Sequence, residues 1–122
     1  MAKKVLIVDD STSMRNVISM TLQGAGYDVV EAHDGQNGLT RLDGQKLNLI
    51  ITDINMPVMD GLTFVKEVKK QAAYKFTPII VLTTETDPAK RDVARAAGAK
   101  AWVVKPFQPQ QLLEAVTKLV LP

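Results

Sequence analysis

Four short apolar runs punctuate the chain: VLIV at 5–8, LNLII at 47–51, PIIVL at 78–82 and AWVV at 101–104, with YDVVEA at 27–32 as a weaker fifth. The strongest show no polar alternation, which is how strands read when a sheet is covered on both faces. Between them the spacing becomes helical. Met14, Val17, Ile18, Leu22 and Ala25 form one stripe, with Ser11 and Thr12 as candidate caps and Gly24 or Gly26 as a stop. The stretch DGQNGLTRL at 34–42 opens on a capping Asp34 but holds two glycines, which predicts a short helix. Leu62, Val65, Val68 and Ala72 make another stripe; Ala89, Val93, Ala96 and Ala97 make a small-residue one after Asp87 and Pro88. A last helix opens at Pro109 with Leu112, Ala115, Val116 and Leu119 on one face. Leu113 and Val120 widen that face beyond what one core contact requires.

Five β-α units without a long linker predict an α/β fold: a doubly wound, open parallel sheet with right-handed crossovers and helices on both faces. Five units cannot close an eight-stranded barrel. In such sheets ligands bind beyond the carboxyl ends of the strands, so the residues that follow each apolar run carry the chemistry.

Those residues are Asp9 and Asp10 after the first run, Asp53 after the third, Thr83 and Thr84 after the fourth, and Lys105-Pro106 after the fifth. A parallel sheet brings them to one edge. Close carboxylates raise one another's pKa unless a cation favours their charged forms. Hard oxygen donors without His or Cys suit Mg²⁺ or Mn²⁺ rather than zinc, and Mg²⁺ commonly shares its shell with phosphoryl oxygens. Lys105 and Thr83 remain as donors to such oxygens.

Composition narrows the field. The 122 residues suit one domain over 1–122 with no separate output domain, and 46% hydrophobic residues can fill a core. A formal charge of +2 and 5% aromatics, none interleaved with a basic run, give little support to nucleic-acid binding. With no cysteine there is neither a disulfide framework nor a thiolate metal site, which is compatible with a cytoplasmic protein. No apolar run approaches membrane-spanning length, and the N-terminal run is too short for a signal peptide. His33 and the Lys90, Arg91 and Arg95 group read as surface residues, the latter also as a possible face for an acidic peptide.

VLIVDDS, IITDINMPVMDG, VLTTE and VVKPF, in that order, resemble the motifs of response-regulator receiver domains over essentially the whole chain. The likeness is greatest to the stand-alone chemotaxis regulators. It implies the (βα)5 flavodoxin-like strand order 2-1-3-4-5. It also implies that Asp53 accepts a phosphoryl group from a chemotaxis-type histidine kinase. Asp10 and Asp53 would ligate Mg²⁺, for which Mn²⁺ can substitute, with Asp9 acting through water and Asn55 through its main-chain carbonyl. Lys105 and Thr83 would hold phosphoryl oxygens; Asn55 and Glu85 would tune hydrolysis. The Lys105-Pro106 peptide bond would be cis. An aromatic residue at the Trp102 position would switch the helix 4/strand 5/helix 5 surface, where this chain departs from the usual Tyr or Phe. The implied protein is a monomeric signalling switch rather than an enzyme in its own right. Its implied partners are the flagellar motor switch protein and possibly a phosphatase, with no membrane or nucleic-acid partner.

Other readings stand beside it. A phosphate sink or a regulator of a non-flagellar target keeps the same site. A haloacid-dehalogenase-like phosphatase also uses a strand-end Asp with Mg²⁺, but needs a second Asp two positions on, where this chain has Ser11. A flavin mononucleotide carrier needs a phosphate loop without acids, which Asp9 and Asp10 contradict.

Overall fold

The computed structural model describes residues 2–120. Five strands, β1 (Lys4–Val8), β2 (Asp28–Ala32), β3 (Leu49–Thr52), β4 (Ile79–Thr83) and β5 (Ala101–Val104), pair in parallel in the order β2-β1-β3-β4-β5. Helices α1 (Thr12–Gly24), α2 (Gly35–Thr40), α3 (Gly61–Lys70), α4 (Pro88–Ala97) and α5 (Pro109–Leu119) connect and follow them. The α/β class and the strand order are as expected from the sequence. The weakest run, at 27–32, is the edge strand β2.

Local chemistry sets where the helices begin. The Ser11 hydroxyl accepts from the Met14 N–H, and carboxylates of Asp34, Asp60 and Asp87 accept from N–H groups in the first turns of α2, α3 and α4. Each cap satisfies a donor that the helix cannot, and each acid also faces the positive end of the helix dipole. Since every helix follows a strand, these starts gather at the carboxyl edge of the sheet.

The side chains of the central strands divide between two layers. Val5, Ile7, Leu49, Ile51, Ile80 and Leu82 pack with Ile18 and Leu22 of α1 and Leu112 and Val116 of α5. Leu6, Val8, Ile50 and Ile79 pack with Phe64, Val65 and Val68 of α3. The strands β1, β3 and β4 are thus buried on both faces, whereas β5, at the other edge of the sheet, is only partly covered.

Several helix faces differ from the sequence expectation. Val17 and Ala25 are exposed, leaving Met14, Ile18 and Leu22 as the inward stripe of α1. Ala72 lies past the end of α3 in a short 3-10 turn and is exposed, while Phe64, absent from the expected stripe, is fully buried. On α4 the expected Ala89, Val93 and Ala96 face outward; Ala94 is buried and Ala97 half-buried. Alanine gains little on burial, so an alanine-rich helix leaves its rotation to tertiary packing. Leu113 and Val120 are not a spare face of α5, because both pack onto the α1/α5 layer.

Replacing Phe64 with Ala should lower unfolding stability by about 3–5 kcal/mol, the usual cost of emptying a buried aromatic site. Val93→Ser, on the outward face of α4, should change it by no more than about 0.5 kcal/mol. Urea titration of both variants checks the assignment of these faces.

Candidate functional site

The carboxyl edge of the sheet holds a compact cluster of charge. Asp9 follows β1, Asp53 follows β3 and Lys105 follows β5, and the lysine ammonium donates to Asp9 Oδ2 at 2.7 Å and to Asp53 Oδ2 at 2.9 Å. All three are largely shielded: side-chain exposure is 2% for Asp9, 11% for Asp53 and 8% for Lys105. Burial alone would lower the lysine pKa, but its hydrogen bonds and charge attraction to Asp9 and Asp53 outweigh burial and leave it above the ordinary 10.5. The Lys105-Pro106 peptide bond is cis, as the sequence resemblance implies.

The second oxygen of each carboxylate is also committed. Asp9 Oδ1 accepts from the Ser11 N–H at 2.9 Å, and Asp53 Oδ1 accepts from the Ile54 N–H at 2.6 Å. Asp10, in contrast, is exposed. Carboxylate oxygens of Asp9, Asp10 and Asp53 lie within 4.8 Å of one another. Such an all-oxygen acidic pocket suits a hard divalent cation. From sequence the positive partner of the acids reads as a metal; the structure adds the Lys105 ammonium, which already bridges two of the three.

Three further residues build the pocket, of which the sequence assigns a role only to Ser11, as a cap of α1. Arg15 of α1 donates from Nη1 to the Asp9 carbonyl at 2.6 Å and pairs through Nε with Glu31 at 3.3 Å, fastening α1 to the ends of β1 and β2. Ser11 caps α1 and also donates its N–H to Asp9. At Gly61, the first residue of α3, any Cβ would run into the Asp53 carbonyl oxygen, so only glycine lets the helix start so close to the site. Its signal, the Asp-Gly pair closing IITDINMPVMDG, is in the sequence but says nothing of what the glycine touches. In the same loop Val58 has φ of 69°, at the centre of a tight turn in which the Met59 N–H donates to the Pro57 carbonyl at 2.7 Å. Asn55 is exposed at the start of this loop.

Thr83 is fully buried at the end of β4, and its hydroxyl accepts from the Glu85 N–H at 3.1 Å. Glu85 in turn is held by Lys90 of α4 at 2.7 Å and accepts from the Thr86 and Asp87 N–H groups. The Lys90 hydrogen bond keeps the Glu85 carboxyl below its ordinary pKa and raises that of Lys90. A continuous polar path therefore runs from the strand end to the first turn of α4. Trp102 is half-buried on β5 against Ile54, Val81, Ala94 and Ala99. On one side it borders a recess of about 60 Å³ beneath α4, shared with Arg91 and Arg95. On the other lies a groove of about 330 Å³ shared with Glu114 and Lys118 of α5. His33 is exposed and paired with Asp34, away from the acidic cluster.

Fold and site together define a doubly wound α/β module with an acidic pocket at the carboxyl edge of its sheet, and comparison with known proteins gives the family. The chain belongs to the response regulator receiver domain family, whose description matches residues 5–117. It is 45% identical to the Helicobacter pylori chemotaxis protein CheY1 over 91% of both chains. The structure of Vibrio cholerae chemotaxis protein CheY4 superposes with a TM-score of 0.93 at 50% identity, over 98% of this chain and 99% of that one. The receiver domain of a Pseudomonas aeruginosa sensor histidine kinase, with a magnesium ion coordinated in its active-site cleft, superposes with a TM-score of 0.90 at 27% identity, over 98% of each chain. Receiver domains of this kind are signalling switches rather than enzymes in the usual sense, and belong to two-component signalling.

Replacing Lys105 with Met leaves the two buried carboxylates facing each other without their cation. In chelator-treated buffer at neutral pH this should cost about 3 kcal/mol of unfolding stability. Because the native lysine pKa is raised, the bridge contributes fully below the ordinary value of 10.5 and is lost as pH climbs through the higher native value. The gap between wild type and Lys105→Met, followed by urea titration, should therefore narrow above pH 10.5.

Proposed function

We propose that Asp53 is the phosphoacceptor of a chemotaxis-type two-component system. The observation that carries this reading is the Lys105 ammonium bridging Asp9 and Asp53 at the carboxyl edge of the sheet. An Asp53 oxygen attacks the phosphorus of a kinase phosphohistidine; the P–O bond forms, the P–N bond breaks, and the imidazole leaves with its electron pair and takes up a proton. Lys105 and the Thr83 hydroxyl receive the phosphoryl oxygens, the electrostatic work that dominates phosphoryl transfer. Water later attacks the acyl phosphate, returning the Asp53 carboxylate and inorganic phosphate, with Asn55 and Glu85 tuning the rate.

Mg²⁺ is the cation that fits, with Mn²⁺ able to substitute. Asp10 and Asp53 would hold it, with the Asn55 carbonyl as a further protein ligand and Asp9 contributing through water. The exposure of Asp10, beside the buried Asp9, supports its place as a direct ligand. When bound, the ion neutralises charge on the phosphoryl oxygens.

The output is a change of the α4/β5/α5 surface. Thr83 moving toward the phosphoryl group breaks its hydrogen bond from Glu85, and Glu85 is tied to α4 through Lys90. Trp102, between two recesses, is the aromatic that repositions. The partners in this reading are a chemotaxis-type histidine kinase, the flagellar motor switch protein and a phosphatase, with the receiver acting as a cytoplasmic monomer. A phosphate sink or another target is the alternative.

Asp53→Asn should yield no phosphoprotein with phosphorylated kinase, measured by intact mass; normal phosphorylation at the same site count would refute the assignment. Affinity for an N-terminal peptide of a flagellar switch protein should tighten about tenfold when beryllofluoride, standing in for the phosphoryl group on Asp53, is added with Mg²⁺. Asp53→Asn should remove that gain. No tightening with beryllofluoride bound would move the output to the alternative.

A further inference from the structure

The edge of the sheet opposite the acidic cluster carries a groove of about 490 Å³ between the segment that leads into β3 and the one that leads into β4. Its apolar walls are Leu47, Ala72, Ala73 and Pro78, and Phe76 stands at its rim with 88% of its surface exposed. Both walls are fixed by internal polar bonds. The Tyr74 hydroxyl accepts from the Gly44 N–H at 3.1 Å and donates to the Gln45 carbonyl at 2.8 Å, tying one wall to the other. The Lys69 ammonium is held by the carbonyls of Tyr74, Lys75 and Thr77, which clamps the turn that presents Phe76. An aromatic ring left in water on a turn clamped at four carbonyl or hydroxyl contacts is preorganised for a contact rather than flexible filler.

The charge around the groove is mainly positive, although Asp43 accepts from the Gln45 N–H of its wall. Lys46 and Lys75 are exposed beside it, Lys75 lies 5.8 Å from the Phe76 ring centre, and Lys4 reaches the Gln45 side chain. Lys69 and Lys70 close α3 and so answer a helix dipole, but Lys46 and Lys75 lie in connecting segments where no α-helix ends. The acids of this pole are Asp28 and Asp43, with Glu67 already paired to Lys70.

We propose that this groove docks an acidic protein segment that inserts one apolar side chain beside Phe76. A concave slot with an apolar wall, Lys46 in its lining and Lys75 beside its rim suits a peptide better than a bilayer, which cannot fill a recess, or a nucleic acid, which would find one aromatic ring to stack on. The groove sits at the opposite edge from Asp53 and away from the α4/β5/α5 surface, so a partner held there stays bound in both signalling states. It would act as a tether independent of signalling state; the docking itself does not rest on the phosphoacceptor reading, whereas its independence of state does.

The test uses the full chain and a fluorescent decapeptide of aspartate and glutamate with one central leucine, read by anisotropy and by amide shift mapping. Saturable binding with a Kd on the order of 0.1 mM is expected, with shifts centred on residues 44–48 and 72–78. Phe76→Ala, and separately Lys46→Glu with Lys75→Glu, should each weaken it about tenfold. Replacing the peptide leucine by serine should do the same. Beryllofluoride with Mg²⁺ should leave the affinity unchanged. Absence of saturable binding, shifts confined to residues 88–104, an affinity that depends on beryllofluoride, or binding of phosphatidylserine vesicles lost in the same variants would each overturn the proposal. Failure of the beryllofluoride response at the motor-switch peptide would leave it untouched, since the two readouts use different surfaces.

Discussion

One ammonium group organises this molecule. Lys105 closes a contact with Asp9 across a sequence separation of 96 and with Asp53 across 52, joining the ends of β1, β3 and β5 at a single point. Two carboxylates this buried repel each other and lose hydration, and a cation between them is the arrangement that lets both stay charged. The lysine must come from a strand that runs parallel to the other two, since otherwise its end would lie at the opposite edge. It must also reach past β4, which lies between β3 and β5, and a long flexible stem allows that. The site is therefore inseparable from the topology.

The same parallel arrangement gives the chain two electrically different poles. Helix starts capped by Ser11, Asp34, Asp60 and Asp87 collect at the carboxyl edge, where they add acid to an already acidic pocket. Helix ends carrying Lys69, Lys70, Arg95 and Lys118 collect toward the other edge. Much of this polarity is what helix dipoles favour. Its consequence is an acidic pocket suited to a hard cation at one pole and a basic surface at the other.

Between the pocket and the surface of α4 lies a short chain of polar contacts rather than a rigid wall. The Thr83 hydroxyl, the Glu85 main chain and carboxylate and the Lys90 ammonium follow one another without a gap. In the proposed switch, a change at the strand end would be felt first at the start of α4, whose small Ala94 and Ala97 contacts bury less apolar surface than the Phe64 and Val68 contacts of α3. Trp102 packs against Ala94 of the same helix, with open space on either side.

The unbroken runs at 5–8, 47–51, 78–82 and 101–104, their alternation with helical spacing and the residues just after each run were sufficient for the fold class and for the candidate cluster. Burial on both faces and strand direction leave their mark on local sequence, and each site residue sits at a strand end where that mark stops. The rotation of α4 was not legible, because exchanging Ala89 and Ala96 for Ala94 at the core changes the hydrophobic pattern too little to register. Phe64, the Gly61 approach to the Asp53 carbonyl and the Arg15 hold on the Asp9 carbonyl depend on neighbours distant in sequence. So does the groove beside Phe76, whose walls come from segments held together by Tyr74 and Lys69. Periodicity reports which faces of an element avoid water; which partner each face meets is decided only when the elements pack.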